Sequence, residues 1–403
     1  MINPFRIHGA VTGGYFTNRA AEIKRIAETL REPSAKLLVF GERRVGKTST
    51  LLAAIERVRA KRGTAFLVDL STASNVSDVA TRVLEGASQG LGRGWKDFAD
   101  AIGRHVKATL SVRPDAGTGL LIPSLQVETR RAELGEQQRT LGQVLDALED
   151  LASRKKRTIG VVLDEVQELA ALGGDQAEWH LRGVIQHHHH VSYVLAGSRP
   201  SVLREMISEG RAFYGMLDTM AFGPIDPEHL AAWIDSRLAS SKVPARGIGA
   251  ACVALAGPRT RDVVQLARKV YDVALASRKR RADAETVAAA FSELVDDLDD
   301  AFHAQWEDAS AVQRDVLRAV AAARSGLTTE QTRTEFALPA SGSVTKAVTT
   351  LVEERRLVKA DWAPTGYAFD SPYFRGWVIR NTLADIGMSL DETTPPAMSR
   401  PAG

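Results

Sequence analysis

A short stretch near the start of the chain has the residue types and spacing of a phosphate-binding loop. Residues 41–48 read GERRVGKT and fit G-x-x-x-x-G-K-[ST], in which the glycines let backbone N–H groups turn toward phosphate oxygens. Lys47 would reach the β- and γ-phosphates, and the Thr48 hydroxyl would bind Mg²⁺. A nucleoside triphosphate with Mg²⁺ is therefore the predicted ligand. The loop residues expected to contact it are Gly41, Glu42, Arg43, Arg44, Val45, Gly46, Lys47, Thr48 and Ser49.

The residues on either side of this loop have the order of elements that phosphate binding requires. Residues 37–40 (LLVF) form an apolar run typical of a strand, and residues 49–54 continue as the start of a helix. Such a helix adds the positive end of its dipole to the site. An ordinary glycine turn is the alternative, and it does not require this order.

An acidic pair follows a second apolar run. Residues 159–163 (IGVVL) are wholly apolar, as a central parallel strand buried on both faces must be, and Asp164 and Glu165 come directly after them. Ligands of α/β sheets bind at this carboxyl edge. We therefore predict that Asp164 holds the Mg²⁺ through water, and that Glu165 orients or deprotonates the attacking water.

Two further polar residues follow strands or helices in positions where they could face a phosphate. Ser198 comes after the apolar run 191–196 and would face the γ-phosphate, or else it caps the helix that begins near Pro200. Arg211 lies at a helix end and could act on the γ-phosphate of a neighbouring molecule, because its planar guanidinium spreads over two oxygens. A surface salt bridge is the alternative for Arg211.

Four consecutive histidines, residues 187–190, invite a metal-binding interpretation. They cannot all face one ion from a helix end, and no acidic or cysteine partner stands at ligand spacing nearby. A solvated or partly packed turn is the predicted structure.

The pattern becomes wholly helical from residue 226 to about residue 302, which predicts a small helical lid. Arg259 and Arg261 stand at the start of one of these helices. Cations at a helix N-terminus oppose the dipole, so an external anion is a reason for them to be there. Both arginines are therefore candidates for nucleotide binding.

The C-terminal portion has the element pattern of a winged helix-turn-helix. Helical patterns at residues 310–323, 328–336 and 344–354 are followed by two short strand patterns at 357–360 and 366–369. Such a unit places its third helix in the major groove of DNA, although it can also serve in protein packing. The residues offered to DNA are Lys346, Thr349, Arg355 and Arg356.

Length and composition limit the possible classes of protein. The 403 residues are enough for two or three domains, and 44% hydrophobic with 25% charged residues is ordinary for a globular protein. The net charge of +3 is too small to imply nucleic acid by itself. Cys252 is the single cysteine, which excludes an internal disulfide and favours a reducing, cytoplasmic setting. No apolar run approaches the ~18 residues of a membrane span, so no membrane contact is expected.

The chain resembles the archaeal-type ATPases, a branch of the AAA+ and STAND P-loop proteins related to the origin-recognition ATPases. The resemblance rests on Phe16-x-x-Arg19-x-x-Glu22, GERRVGKTST at 41–50, VVLDEVQEL at 161–169, the Ser-Arg-Pro after the fourth strand and YAFDSPYFRGWV at 367–378. It implies an ATP-dependent switch in which Ser198 is a first sensor. It also implies that the helical lid supplies a second sensor. Arg261 is preferred over Arg259 for this role because the apolar spacing after Arg261 matches the sensor helix of the family.

We therefore expect an α/β fold: a P-loop NTPase core with a parallel sheet of the AAA+ kind, a helical lid and a C-terminal winged helix. The expected domains are residues 1–224, 225–303 and 304–388, followed by a disordered tail at 389–403. One functional hypothesis is an ATPase that binds ATP or ADP and duplex DNA. Another is a STAND-type switch whose nucleotide state controls assembly with a protein partner or with copies of itself. A third is a nucleotide-binding protein with little turnover.

Overall fold

The computed structural model describes residues 2–7, 9, 13–105, 109–114, 121–126, 133–245, 247–277, 281–322, 326–361 and 363–388. The chain forms two compact units. One runs from Asn18 to Gly223 and is called the sheet unit here. The other, the helical unit, comprises Met1–Thr17 and Pro224–Gly403. The tail expected at 389–403 lies outside the described residues.

The sheet unit is built on five parallel strands. The strands of the unit are β1 (Lys36–Phe40), β2 (Thr64–Asp69), β3 (Thr109–Pro114), β4 (Leu121–Gln126), β5 (Ile159–Asp164), β6 (Val191–Gly197) and β7 (Asp218–Ala221). The five parallel strands stand in the order β2-β5-β6-β1-β7, so β6 lies between β1 and β5. Every position of β5 and β6 is buried, as their apolar sequences predicted for central strands. A separate antiparallel hairpin pairs β3 with β4.

Helices cover both faces of this sheet. The first two helices share one apolar cluster with the sheet, which includes Ile26, Leu51 and Val39. The next four helices share a larger cluster on the other face. The sheet is therefore a buried middle layer, and the connections at its edges remain available for a site. The helices are α1 (Ala20–Thr29), α2 (Lys47–Ala60), α3 (Val76–Leu91), α4 (Trp95–His105), α5 (Leu134–Lys155), α6 (Glu168–Ile185) and α7 (Pro200–Met206).

The histidine run forms the partly packed turn that the sequence predicted. His188 is buried, with Nδ1 2.7 Å from the Tyr193 hydroxyl and Nε2 3.0 Å from an Asp146 oxygen. The Glu149 carboxylate accepts backbone N–H groups from His189 and His190. The turn therefore fixes the entry into β6 through contacts with α5.

The helical unit has one continuous apolar core. The rings of Phe302 and Phe374 lie 5.3 Å apart, and those of Phe291 and Tyr373 lie 5.4 Å apart, so side chains from both sides of the expected boundary at residue 303 pack together. The unit contains α8 (Pro227–Ser240), α9 (Ile248–Ala256), α10 (Thr260–Ala276), α11 (Ala284–Asp296), α12 (Asp299–Glu307), α13 (Ala311–Ala321), α14 (Glu330–Glu335), α15 (Ser341–Glu353), β8 (Leu357–Lys359), β9 (Tyr367–Phe369) and α16 (Pro372–Thr382).

The N-terminal residues pack with the helical unit, although the expected first domain included them. The Phe5 ring is buried edge-on to Trp233, with 5.7 Å between centroids, and the Asn3 side-chain amide donates to the Arg268 carbonyl at 3.0 Å. Burial of a large aromatic ring stabilises this arrangement by about 1.5–3 kcal/mol. Across the described residues, no helix is long and apolar enough to cross a membrane.

The buried position of Cys252 leads to a first prediction. Burial raises the pKa of the thiol to about 12, and the thiolate is the reactive form of cysteine. We expect a water-soluble disulfide reagent to leave the native protein unlabelled and to label one thiol per chain in denaturant. Absorbance of the released thiol measures this, and rapid stoichiometric labelling of the native protein would contradict the packing of α9.

Candidate active site

The loop between β1 and α2 has the backbone shape of a phosphate cradle. Gly46 stands at the N-terminal end of α2 with φ of 96°, and Arg44 has φ of 65°, so both lie in the left-handed region. The glycine at position 41 is required by packing within the protein, and not by the close approach of a phosphate. A Cβ atom at this position would lie 2.0 Å from the Phe222 carbonyl oxygen, so the segment after β7 fixes the glycine.

Lys47 is held inside this loop. Its side chain is 6% exposed, and its Nζ donates to the Gly41 carbonyl at 2.8 Å and to the Glu42 carbonyl. Burial lowers the pKa of Lys47 to about 8, while the nearby Glu165 and Asp164 carboxylates act in the opposite direction. The ammonium form therefore still prevails at pH 7, and a bound phosphate would stabilise it further.

Thr48 and Asp164 come together at the carboxyl edge of the sheet. The Thr48 hydroxyl donates to Asp164 Oδ2 at 2.7 Å, and Asp164 is 2% exposed. Burial raises the pKa of the Asp164 carboxyl, and a cation at this place would oppose that effect. A hydroxyl and a carboxylate oxygen side by side are hard oxygen ligands, so these residues fit Mg²⁺.

Glu165 is oriented by donors from two other elements. The Ser198 hydroxyl donates to Glu165 Oε2 at 2.6 Å, and the Gln167 side-chain amide donates to the same oxygen. Ser198 reaches this position because it follows β6, the neighbour of β5. Its role as a helix cap was an alternative, and it is wrong: Arg199 is the N-cap residue of α7, and no side chain caps that helix.

Gln167 is a site residue to which sequence reasoning gave no role. It is buried, and its amide also lies 3.5 Å from a Glu168 oxygen. A Cβ atom at Gly197 would lie 2.1 Å from Gln167 Oε1, so the glycine that ends β6 provides the room for this side chain. The signal in the sequence was the Gln-Glu pair that extends the acidic motif.

Arg211 is paired within the sheet unit. Its guanidinium binds both carboxylate oxygens of Asp175, at 2.6 and 2.9 Å, and approaches Glu178 at 3.4 Å. These acids hold the pKa of Arg211 above its ordinary value, chiefly through the Asp175 hydrogen bonds. Arg211 therefore forms a salt bridge, which was the alternative to contact with the γ-phosphate of a neighbouring molecule.

The two lid arginines have different surroundings within the helical unit. The Arg259 side chain is nearly buried and forms an ion pair of 2.6 Å with the Asp370 carboxylate, just before α16. It also donates to the Asp370 carbonyl. Arg261, two residues further along, is exposed. Arg259 therefore joins α10 to the C-terminal helix, whereas the Arg261 side chain lies at the surface of α10.

The four residues predicted to contact DNA are divided by the structure. Lys346 and Thr349 are exposed on α15, and Arg355 follows this helix. Arg356 is 8% exposed, and its guanidinium binds Asp308 at 2.6 Å and Glu354 at 3.1 Å. The charge of Arg356 is therefore paired inside the unit, and its contact with DNA stays a prediction.

A parallel sheet with a phosphate-binding loop after β1 and an acidic pair at the carboxyl end of β5 defines a P-loop nucleoside triphosphatase. Residues 16–231, more than half of the chain, match the model of a family described as an ATPase domain predominantly from Archaea, and the chain belongs to this family. Because the members of this family are ATPases, this chain is an ATPase and its nucleotide is ATP.

Comparison with solved structures agrees on the fold. The chain is similar to a Walker-type ATPase of Pyrococcus abyssi, with a TM-score of 0.62 at 16% identity over 93% of this chain and 99% of that one. It is also similar to the ORC1 protein of Aeropyrum pernix, solved in complex with DNA, with a TM-score of 0.50 at 18% identity over 93% and 95% of the two chains. A search of curated protein sequences finds no significant match.

Proposed function

We propose that this ATPase hydrolyses ATP with Mg²⁺ at the edge of its sheet and binds duplex DNA through a winged helix formed by α13, α14, α15, β8 and β9. The observation that carries the first half is a continuous set of contacts at one sheet edge. Thr48 bonds to Asp164, and Ser198 bonds to the adjacent Glu165. This set joins the phosphate-binding loop to the residue expected to receive a proton.

Each residue of this set has one task in hydrolysis. The loop N–H groups and the Lys47 ammonium bind the β- and γ-phosphates, while Thr48 and Asp164 would hold Mg²⁺. When bound, Mg²⁺ neutralises charge on the phosphates. Glu165 takes a proton from water as the water oxygen bonds to the γ-phosphorus and the bond to the ADP oxygen breaks. Ser198 and Gln167 orient the Glu165 carboxylate for this transfer.

The proposal of DNA binding is supported by the order of elements in the helical unit and by the surface of α15. Three helices followed by two antiparallel strands is the arrangement in which a third helix enters the major groove. Lys346 and Thr349 are exposed on that helix. The ORC1 protein, whose fold is similar, was solved with DNA. Acids near the helix end, Glu353 and Glu354, keep the surface only modestly basic, so we expect moderate affinity.

Fluorescence anisotropy with a labelled duplex at several salt concentrations tests this proposal. We expect the Lys346→Ala variant to bind duplex DNA less tightly and to reduce the slope of log K against log salt by about 0.9, since one phosphate contact is lost. Lys24→Ala is the matched control, because Lys24 is an exposed lysine on α1 of the sheet unit, and it should bind as the wild type does. Absence of any binding at low salt would remove the DNA half of the proposal.

A further inference from the structure

Arg19 is a buried arginine at the place where the chain enters the sheet unit. It is 5% exposed and is the second residue of that unit. Asn18 and Arg19 have φ values of 60° and 71°, and the Asn18 side chain accepts the Arg19 N–H at 2.8 Å. Asparagine adopts the left-handed region more readily than other non-glycine residues, whereas an arginine there is unfavourable by about 1–2 kcal/mol and persists where surrounding contacts impose it. The contacts of the Arg19 side chain stabilise this backbone conformation together with the Asn18 hydrogen bond.

The guanidinium of Arg19 contacts three separate parts of the sheet unit. It donates to the Glu22 carboxylate at 2.9 Å, to the Val45 carbonyl at 3.3 Å and to the Gly223 carbonyl at 2.6 Å. It also lies over the Phe222 ring, with 4.1 Å between the guanidinium carbon and the ring centroid. A planar group with five donors in a fixed fork can hold these partners together, which a lysine ammonium cannot do in the same geometry.

The Val45 contact acts directly on the phosphate-binding loop. The Val45 carbonyl and the Gly46 N–H belong to one peptide group, which is planar. A hydrogen bond that fixes the carbonyl therefore fixes the direction of the N–H, and backbone N–H groups of this loop cradle the phosphates. Arg19 thus sets the orientation of the Gly46 N–H without contacting the nucleotide itself.

The Gly223 contact and the Arg19 backbone itself lie at the two junctions where the chain passes between the units. Arg19 itself follows the first junction, between Thr17 and Asn18, and Gly223 is the last residue before the second, between Gly223 and Pro224. One side chain therefore binds the phosphate loop and the exit junction, while its own backbone forms the entry junction. A change in the Val45 peptide on phosphate binding must alter the contacts of this guanidinium.

We propose that Arg19 is a positioning residue that orients the Gly46 N–H for phosphate and transmits nucleotide binding from the loop to both junctions. Arg25 provides a matched control. It lies on α1 and donates to the backbone carbonyl of Thr219 at 2.9 Å, in the strand that leads to the exit junction, but it is exposed. It shares the residue type and the kind of contact, a hydrogen bond to a backbone carbonyl, without the contact to the loop.

The test combines ATP binding by calorimetry with hydrogen exchange of peptides that cover residues 13–20 and 217–230 in the full chain. In the wild type and in Arg25→Gln, saturating ATP should change exchange at both junctions. In Arg19→Lys, we expect about tenfold weaker ATP binding, the equivalent of one hydrogen bond to a charged group, and no ATP-dependent change at either junction. A merely structural role of Arg19 would lower the melting temperature and leave the ATP response intact.

Glu22→Gln keeps the proposal testable if the Arg19 variant does not fold. This substitution is isosteric, at a half-buried residue, and removes the charge that orients Arg19. We expect it to reduce the ATP response of both junctions in the same direction as Arg19→Lys. The proposal is overturned if a folded Arg19→Lys or Glu22→Gln protein responds to ATP as the wild type does, or if the wild-type junctions do not respond.

Discussion

Replacement of Glu165 by Gln is expected to lower ATP hydrolysis about 10²–10⁴-fold, the range that a positioned general base contributes. The amide has nearly the same volume and keeps an oxygen to which Ser198 can donate, as it now does at 2.6 Å. It cannot accept the proton of the attacking water at neutral pH. Because Glu165 contacts the water and not the phosphates in this mechanism, the affinity for ATP should stay within about threefold of the wild type. Phosphate release and calorimetry measure the two quantities.

Glu168→Gln is the matched control for this experiment. Glu168 is three residues further along, at the start of α6. Its oxygen lies 3.5 Å from the same Gln167 amide that donates to Glu165, but the Ser198 hydroxyl donates to Glu165. We expect near wild-type hydrolysis from it. Equal hydrolysis rates for the wild type and Glu165→Gln would show that another group receives the proton.

The residues of the active site that could be predicted from the sequence are those whose signal is local. The glycines, lysine and threonine of the loop are neighbours in the chain, and the wholly apolar runs of β5 and β6 need both faces buried wherever they occur. Asp164 and Ser198 follow such runs, so their arrival at one sheet edge follows from the parallel order of the strands.

The features that sequence reasoning missed depend on residues far apart in the chain. Arg356 was grouped with its neighbour Arg355 because the two are adjacent and identical in type, but Arg356 is paired with Asp308, 48 residues earlier. The position of the Gln167 side chain depends on the room that Gly197 leaves by lacking a Cβ atom, and the spacing of residues in the sequence does not reveal this contact. The helix α16 is anchored by rings such as Phe374 against Phe302 of the preceding region. These contacts are determined by tertiary packing, so they cannot be predicted from local sequence patterns.

Replacement of Lys47 by Ala is expected to weaken ATP binding about 10- to 100-fold, because hydrogen bonds to charged groups contribute about 1.5–3 kcal/mol and tenfold in affinity corresponds to 1.4 kcal/mol. Without ligand, the ammonium is bound to the Gly41 and Glu42 carbonyls at the base of the loop. Burial has already lowered its pKa to about 8, so little water remains to be removed when phosphates reach it. Calorimetric titration with ATP measures the loss.

Lys36→Ala separates the effect of the charge at the phosphates from a general loss of lysine. Lys36 stands at the opposite end of β1 and is half-buried. Burial lowers its pKa, as it does for Lys47, and its Nζ donates to the Ser34 carbonyl at 2.9 Å. Since β1 holds this residue away from the loop that follows Phe40, we expect wild-type affinity. An affinity of Lys47→Ala within about threefold of the wild type would show that the backbone cradle alone binds the phosphates. Most of the binding free energy for the phosphates would then come from the peptide groups of the loop, including the Val45–Gly46 peptide that Arg19 orients.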